Sequence, residues 1–370
     1  MKIAIVTEYY YPSLGGITEH VHNFYSELKK RGHHPVIITG DAGVDSNIDM
    51  REINIIRIGK SVPIYSNGSI ARVSASFDMG RRVKEIIKSE QFDIIHIHSP
   101  LTPYLPVLVQ RYANTLTVGT FHTHFDSCFF LRTFSRVMKK YFDAFAGRIA
   151  VSKLCIESMS RYFEGGFKII PNGVDVSKFR GGHEKIESFA DGRINIFFLG
   201  RLEPRNGLEY LIRAFVDIRS KRSDCRLIIG GDGPLKKYFE SLVPSSLKND
   251  IHFVGRLNGL RPNYYSTCDI FCFPTTKASF GITLLEAMAS EKPVVAFSLP
   301  AYNGFVNSGK NGILCGKASI KNLADSINEL LDSPEKRKIF GANARITAEK
   351  FSWVSIATEV LNYYEEIKNN

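Results

Sequence analysis

The sequence predicts an α/β protein built from two doubly wound, parallel-sheet domains. Three observations predict it. Short β-rich apolar runs alternate with helical patterns along all 370 residues. The alternation begins afresh near residue 194. A turn-rich segment, Ile170-Pro171-Asn172-Gly173-Val174-Asp175, stands between the two series. Parallel strands are buried on both faces and need crossover helices, so they read as apolar runs separated by amphipathic stretches.

The first series opens with a strand at residues 2–6, a helix at 20–31 and a strand at 34–38. An apolar run at 53–58 follows, then a long amphipathic helix over 71–89 and a strand at 94–98. Further strands are expected at 117–121, 148–151 and 168–170. The second series places strands at 194–199, 226–229, 252–254, 270–273 and 294–296, with helical patterns between them. A last helix is expected at 354–367, after Phe351-Ser352-Trp353. The predicted division is an N-terminal domain at 1–172, a C-terminal domain at 173–350 and a closing segment at 351–370. Ligands of open parallel sheets bind beyond the carboxyl ends of the strands, so two such sheets facing each other would suit group transfer across a cleft.

Hydrophobic residues make up 44% and charged residues 23%, the balance of a soluble globular chain. No apolar run is long enough to cross a bilayer. The opening Met1-Lys2-Ile3-Ala4-Ile5-Val6-Thr7 is too short for a secretory leader and lacks a small-residue cleavage site. It reads as a core strand, which predicts a cytosolic protein. Six scattered cysteines form no Cys-x-x-Cys pair. They indicate neither zinc nor a disulfide framework and read as reduced core residues. A net charge of +11 suits either a solvated basic surface or an anionic partner. No nucleic-acid module is present.

Several motifs carry chemistry, each with a plainer reading beside it. Gly15-Gly16, between a strand and a helix, lets backbone N–H groups approach a phosphate, or is a simple turn. Gly230-Gly231-Asp232-Gly233-Pro234 indicates close backbone approach, to a ligand or to another loop. Arg201 ends a strand, where a guanidinium can grip a diphosphate bidentately; Arg205 is its reserve. Glu286, read near the start of a helix after Ser279-Phe280-Gly281, can accept from two ribose hydroxyls or answer the helix dipole. His122 follows a strand and can meet a sugar hydroxyl or be a satisfied core histidine. His96, His98, His122 and His124 could converge on a metal only through tertiary placement, and no metal is assigned. Asn67 and Ser69 read as helix caps with Arg72 a turn later, a cradle for a second phosphate. The helix that follows carries Arg81, Arg82, Lys84 and Lys88 as a basic face, with Phe77 among its apolar residues. Such a helix can lie on an anionic membrane or cover a core.

The combination resembles a known family. Phe198-Leu199-Gly200-Arg201-Leu202-Glu203-Pro204-Arg205, the glycine loop at 230–234, the Pro-Asn-Gly turn at 171–173 and Ser279-Phe280-Gly281 through Glu286 are similar to retaining glycosyltransferases of family 4. That resemblance implies the GT-B architecture, two Rossmann-like domains facing a cleft. Val62-Pro63-Ile64-Tyr65-Ser66-Asn67-Gly68-Ser69-Ile70-Ala71-Arg72, the run 95–100 and Phe121-His122-Thr123 resemble the phosphatidylinositol mannosyltransferases and the N-acetylglucosaminyl-phosphatidylinositol synthases.

The resemblance implies roles. Arg201 would hold the donor diphosphate with Gly15, Gly16, Gly231, Gly233 and the Ser279-Phe280-Gly281 turn; Glu286 would bind ribose. His122 would meet the transferred sugar. Tyr9, Asn67, Ser69 and Arg72 would surround an inositol phosphate. The donor would be GDP-mannose, with a UDP-sugar as the other choice, and no metal or further cofactor would be obligatory. The protein would sit peripherally on the inner membrane face, on an anionic surface. Two positions depart from the family pattern. Asn206 stands where lysine is expected and Ala278 where glutamate is expected. Those groups would stabilise the leaving diphosphate and the positive charge at the anomeric carbon. A catalytically impaired or non-catalytic binding protein is therefore the alternative, and an enzyme with a soluble acceptor is a third.

Overall fold

The computed structural model describes residues 1–13, 15–43, 52–66 and 69–369. The chain divides into two compact units. Unit 1 holds Met1–Gly173 with Trp353–Asn370, and unit 2 holds Val174–Ser352.

Unit 1 contains β1 (Lys2–Val6), α1 (Gly16–Lys30), β2 (His34–Asp41), β3 (Ile55–Ser66), β4 (Ser69–Ala75) and α2 (Met79–Glu90). It continues with β5 (Ile94–His98), α3 (Leu105–Tyr112), β6 (Leu116–Phe121), α4 (Phe129–Asp143), β7 (Gly147–Ala150), α5 (Lys153–Ser160) and β8 (Lys168–Ile169). The sheet order is β4-β3-β2-β1-β5-β6-β7-β8. Every neighbouring pair is parallel except β3 with β4. Ile3, Ala4, Ile5 and Val6 are all fully buried, because helices cover both faces of β1. One face packs against Val83 of α2, Val109 of α3, Met138 of α4 and Met159 of α5. The other packs against Phe24 of α1 and against Ile356 and Tyr364 of the C-terminal helix Trp353–Lys368.

The sequence expectation of one helix over 71–89 is corrected. Residues up to Ala75 form β4, the return strand of a hairpin, and the helix starts only at Met79. The alternation Ile70, Arg72, Ser74 against Ala71, Val73, Ala75 has a period of two, which was absorbed into the helical pattern that follows it. Phe77 is corrected too. It lies outside α2 and is fully exposed. The turn at 171–173 is well packed. Asn172 is buried, and a Cβ on Gly173 would lie 2.6 Å from the Trp353 ring, so only glycine allows that approach.

Unit 2 contains β9 (Ile194–Leu199), α6 (Leu208–Arg219), β10 (Cys225–Gly230), α7 (Lys236–Ser241), β11 (Ile251–Gly255) and α8 (Arg261–Thr267). Then come β12 (Ile270–Cys272), α9 (Ile282–Ala289), β13 (Val294–Phe297), β14 (Gly312–Cys315), α10 (Ile320–Leu331) and α11 (Pro334–Glu349). The six strands run β11-β10-β9-β12-β13-β14, all parallel. The chain reverses direction across the sheet between β9 and β12, and in unit 1 between β1 and β5. These are the switch points where loops diverge and leave a crevice for a ligand.

Candidate active site

The unit 2 switch point brings two predicted loops together. Thr275, after β12, donates its Oγ1 to the main-chain oxygen of Arg205 at 2.7 Å, and the Thr276 N–H donates to the same oxygen at 2.9 Å. The loops touch so closely that a Cβ on Gly207 (φ +72°) would lie 1.8 Å from the Pro274 oxygen. Thus the Arg201–Asn206 segment and the Lys277–Gly281 segment are neighbours, although about 70 residues separate them.

Arg201 is 45% exposed in its side chain, and its Nη2 lies 3.0 Å from Glu203 Oε1. The other Glu203 oxygen is 3.2 Å from Arg205 Nε. One buried carboxylate therefore positions both guanidiniums. Sequence reading missed Glu203; its signal was the i, i+2 spacing to two arginines on a strand-end loop. Asn206 is nearly buried and donates its Nδ2 to the Arg201 oxygen at 2.7 Å. Ala278 is half-buried and offers no polar side chain.

The glycine loop after β10 serves the same switch point through packing. A Cβ on Gly231 (φ +122°) would meet the Gly200 oxygen at 1.9 Å, and one on Gly233 would meet the Leu202 backbone at 2.6 Å. The close approach inferred from the sequence is thus made by the Gly200–Leu202 backbone.

Past β12, Phe280 buries its ring against Phe305 and Phe351, so it offers a ligand only its main chain. Gly281 caps α9 at φ +124°, and the first N–H groups of that helix form a site suited to an anion. The expected place of Glu286 is corrected. α9 begins at Ile282, which puts Glu286 in its second turn, beyond the reach of a first-turn dipole effect. It is 3% exposed and accepts from Arg261 Nη1 at 2.8 Å and Tyr265 Oη at 2.9 Å. Those partners on α8 hold the carboxylate in one orientation, and burial together with Glu286 drives the Tyr265 phenol well above its usual range.

In unit 1, Tyr9 is half-buried with its ring 4.0 Å from where a Gly15 Cβ would sit, and Gly16 opens α1. His122 belongs to a buried imidazole cluster. His98 Nδ1 and His122 Nε2 are 2.9 Å apart, and His20 donates its Nδ1–H to Asn172 Oδ1 at 2.9 Å. His96 is satisfied separately by Tyr364 Oη and Thr120 Oγ1, both at 2.6 Å. Burial lowers all four pKa values. His20 falls to about 4 and His96 to about 3, while His98 and His122 fall well below the usual range with neighbouring imidazoles adding to the effect. His122 therefore acts as a neutral imidazole, a hydrogen-bond partner rather than a cation. His20 and Asn172 were missed in the sequence; His20 follows Gly16 by one helical turn.

The metal set considered from sequence is corrected as well. His124 bonds Ser158 Oγ at 2.9 Å, and His96 faces hydroxyls. The ring nitrogens that converge, within 4.8 Å, belong to His20, His98 and His122. The hydrogen bond between His98 and His122 leaves only one of the two with a lone pair for a cation. As arranged, the trio supplies two ligands, fewer than the three or four a bound transition metal takes.

The inositol-like segment has different local structure from that expected. Asn67 lies outside the described residues, and Ser69 begins β4, so Ser69 caps no helix. Arg72 sits on β4 and donates Nε to Ser61 Oγ at 2.9 Å and Nη2 to the Ser61 oxygen at 3.2 Å. On α2, Arg81, Lys84 and Lys88 are exposed, but Arg82 turns back to the Arg57 oxygen at 3.2 Å, so the basic face holds three of the four cations.

Comparison with known proteins matches both halves. Residues 14–178 match the family described as Glycosyltransferase Family 4, and residues 181–347 match Glycosyl transferases group 1. The chain belongs to glycosyltransferase family 4. It is a GT-B fold protein with glycosyltransferase relatives of the hexose-transferring type. The phosphatidyl-myo-inositol mannosyltransferase of Mycolicibacterium smegmatis is 29% identical over 370 residues, spanning 99% of this chain and 94% of that protein. Among solved structures, the sucrose-phosphate synthase of Thermosynechococcus elongatus matches with TM-score 0.80 at 20% identity, covering 100% of this chain and 99% of that one. The Anabaena protein HepE, in complex with UDP and glucose, matches with TM-score 0.79 at 19% identity over 99% of each chain. Among the described residues, no helix is long and apolar enough to cross a membrane.

Proposed function

We propose that this family 4 glycosyltransferase moves a hexose, with mannose favoured, from a nucleotide diphosphate sugar to a phosphatidylinositol-type lipid. The observation that carries the reading is the grouping of the Arg201 guanidinium, the α9 N-terminus and the fixed Glu286 carboxylate around one switch point. It stands in a chain whose whole length matches phosphatidylinositol mannosyltransferases.

In this reading Arg201 and the α9 N–H groups take the diphosphate, and Glu286 takes the ribose hydroxyls. The bond between the anomeric carbon and the diphosphate oxygen breaks. The acceptor oxygen bonds the same face of that carbon, and its proton passes to the departing diphosphate. Configuration is retained and no metal is obligatory. Neutral His122 receives a sugar hydroxyl, and Tyr9 and Arg72 serve the acceptor end.

The test is incubation with labelled GDP-mannose or UDP-sugars and phosphatidylinositol. Transfer to the lipid supports the reading, transfer to sugar phosphates alone replaces the acceptor, and absence of both transfer and nucleotide binding overturns it. A second reading, an impaired or non-catalytic nucleotide-binding protein, is favoured by one observation. The Asn206 amide is engaged with the Arg201 backbone, and Ala278 lacks a carboxylate, so both expected charges are missing.

A further inference from the structure

We propose that the hollow between α6 and α7 of unit 2 is a saccharide-binding site, which takes a neutral pyranoside on the sheet face away from Glu286. The cavity has a volume of about 700 Å³, within the range of small-molecule sites. It opens at the carboxyl edge of the sheet. Arg205 follows β9, Leu235 follows β10 and Thr276 follows β12, while Glu209 and Tyr210 lie in the first turn of α6 and Tyr238 in α7. The connections β9-α6-β10 and β10-α7-β11 cross the sheet in one direction, and β11-α8-β12 and β12-α9-β13 cross it in the other. Right-handed crossovers then put α6 and α7 on one face and α8 and α9 on the opposite one. Glu286, with Arg261 and Tyr265, belongs to the α8–α9 face.

The lining combines two chemistries. Tyr210, Leu235 and Tyr238 supply apolar walls. Tyr238 is 43% exposed yet fixed, because its hydroxyl donates to Glu209 Oε2 at 2.9 Å. Tyr210 is fixed as well, its ring standing edge-on to Phe297 with ring centres 5.3 Å apart. Rigid aromatic faces in a hollow suit the apolar C–H face of a sugar ring. Between them stand polar groups. The other Glu209 oxygen accepts from Arg213 Nε at 2.9 Å, so the carboxylate is held in place with lone pairs to spare. Arg205 gives its Nε to Glu203, and among the described residues its two Nη groups bond nothing. Thr276 donates its Oγ1 to the Arg205 oxygen at 3.2 Å and keeps acceptor capacity of its own. Donors and acceptors thus stand side by side, which is what vicinal hydroxyls need. Charge chooses among ligands. Arg205 is ion-paired with Glu203 and Arg213 with Glu209, which favours a neutral sugar over a phosphate.

This site goes beyond the donor and acceptor reading above and does not rest on it. The full chain is titrated with methyl α-D-mannopyranoside, methyl α-D-glucopyranoside, mannobiose and maltose, and binding is followed by saturation-transfer NMR. Binding of at least one of them, with affinity on the order of millimolar, is expected. Tyr238→Ala should weaken it by about fivefold or more, with the circular dichroism spectrum unchanged. Tyr238→Phe keeps the ring and should stay within about twofold of the parent. Saturating GDP or UDP should leave the sugar affinity unchanged, since the nucleotide is assigned to the other face. The proposal is overturned if none of these sugars binds, if Tyr238→Ala binds them as the parent does, or if GDP or UDP displaces them. Absence of nucleotide binding would instead overturn the donor reading and leave this site standing.

Discussion

Asn206 donates its side-chain amide to the main-chain oxygen of Arg201 at 2.7 Å, within one loop after β9. The residue at the expected lysine position thus supports the backbone of the arginine proposed to hold the diphosphate, and adds no charge of its own. Charge stabilisation of a departing group is commonly worth ~3–4 kcal/mol, a factor of hundreds. Asn206→Lys together with Ala278→Glu is expected to raise initial rates of sugar transfer by about 100-fold or more. Either change alone should do less. Unchanged rates in the double variant would mean that these positions do not limit the chemistry.

Arg201→Ala separates binding from stability. Glu203 would keep Arg205 as an ion-pair partner at 3.2 Å, so the buried carboxylate is not stranded. Thermal midpoints should move by only ~1–2 °C, because the Arg201 side chain is 45% exposed and the carboxylate keeps its second partner. Calorimetric titration with GDP or UDP should show affinity lower by about 10- to 100-fold, the worth of charge-assisted hydrogen bonds to phosphate. A large fall in the midpoint with unchanged nucleotide affinity would reverse the assignment.

Much of the fold was legible because buried parallel strands announce themselves. Residues 194–199 are apolar at every position but Asn195, and Ile194–Leu199 is the observed strand β9. The β4 strand was not legible, since a short edge strand with polar residues gives a weak apolar signal beside a strongly amphipathic helix. Arg201 could be singled out because strand-end loops carry function, and Glu286 because it closely follows such a loop, Ser279-Phe280-Gly281. Their supporting residues could not. Glu203 precedes Arg205 by two positions but looks like an ordinary surface acid, and Arg261 and Tyr265 reach Glu286 only through the packing of α8 on α9. The partnership of His20 with Asn172 spans 152 residues, beyond any local pattern. Phe77 was absorbed into the helical pattern over 71–89, and only its solvent exposure separates it from the core residues of α2.

The histidine cluster predicts acid sensitivity in unit 1. A base whose folded pKa lies below its unfolded value binds fewer protons when folded, so stability falls as pH falls between the two values. For His20 the window runs from 6.5 down to about 4, and for His96 from 6.5 to about 3. His98 and His122 act in the same direction. Each histidine contributes up to ~1.4 kcal/mol per pH unit inside its window. Glu8 opposes them. Its carboxyl is pushed from 4.5 to about 8, chiefly by burial, so its contribution is full below 4.5 and lost as pH rises to about 8. One opposing carboxyl does not offset four imidazoles. Trp353 is the chain's single tryptophan and meets His20 edge-on at 4.8 Å between ring centres, so its fluorescence reports on this core. Unfolding midpoints followed at Trp353 should fall clearly from pH ~7 to ~5; constant midpoints would show the cluster to be solvated.

Two glycines with positive φ provide a controlled test of the unit 2 switch point. A Cβ at Gly231 would meet the Gly200 oxygen at 1.9 Å, whereas one at Gly255 (φ +71°) would meet nothing within 4 Å. Alanine at 255 bears only the backbone cost of a left-handed conformation, about 1 kcal/mol. Alanine at 231 bears that cost and must also push the β10 loop away from the strand end that carries Arg201. The combined penalty should be roughly 2–4 kcal/mol. Chemical denaturation should therefore rank Gly231→Ala well below Gly255→Ala. Because the Gly200 backbone leads directly into Arg201, nucleotide affinity should fall in Gly231→Ala and stay at the parental level in Gly255→Ala. Equal stability of the two variants would mean that the glycine loop is not wedged against the arginine-bearing strand end.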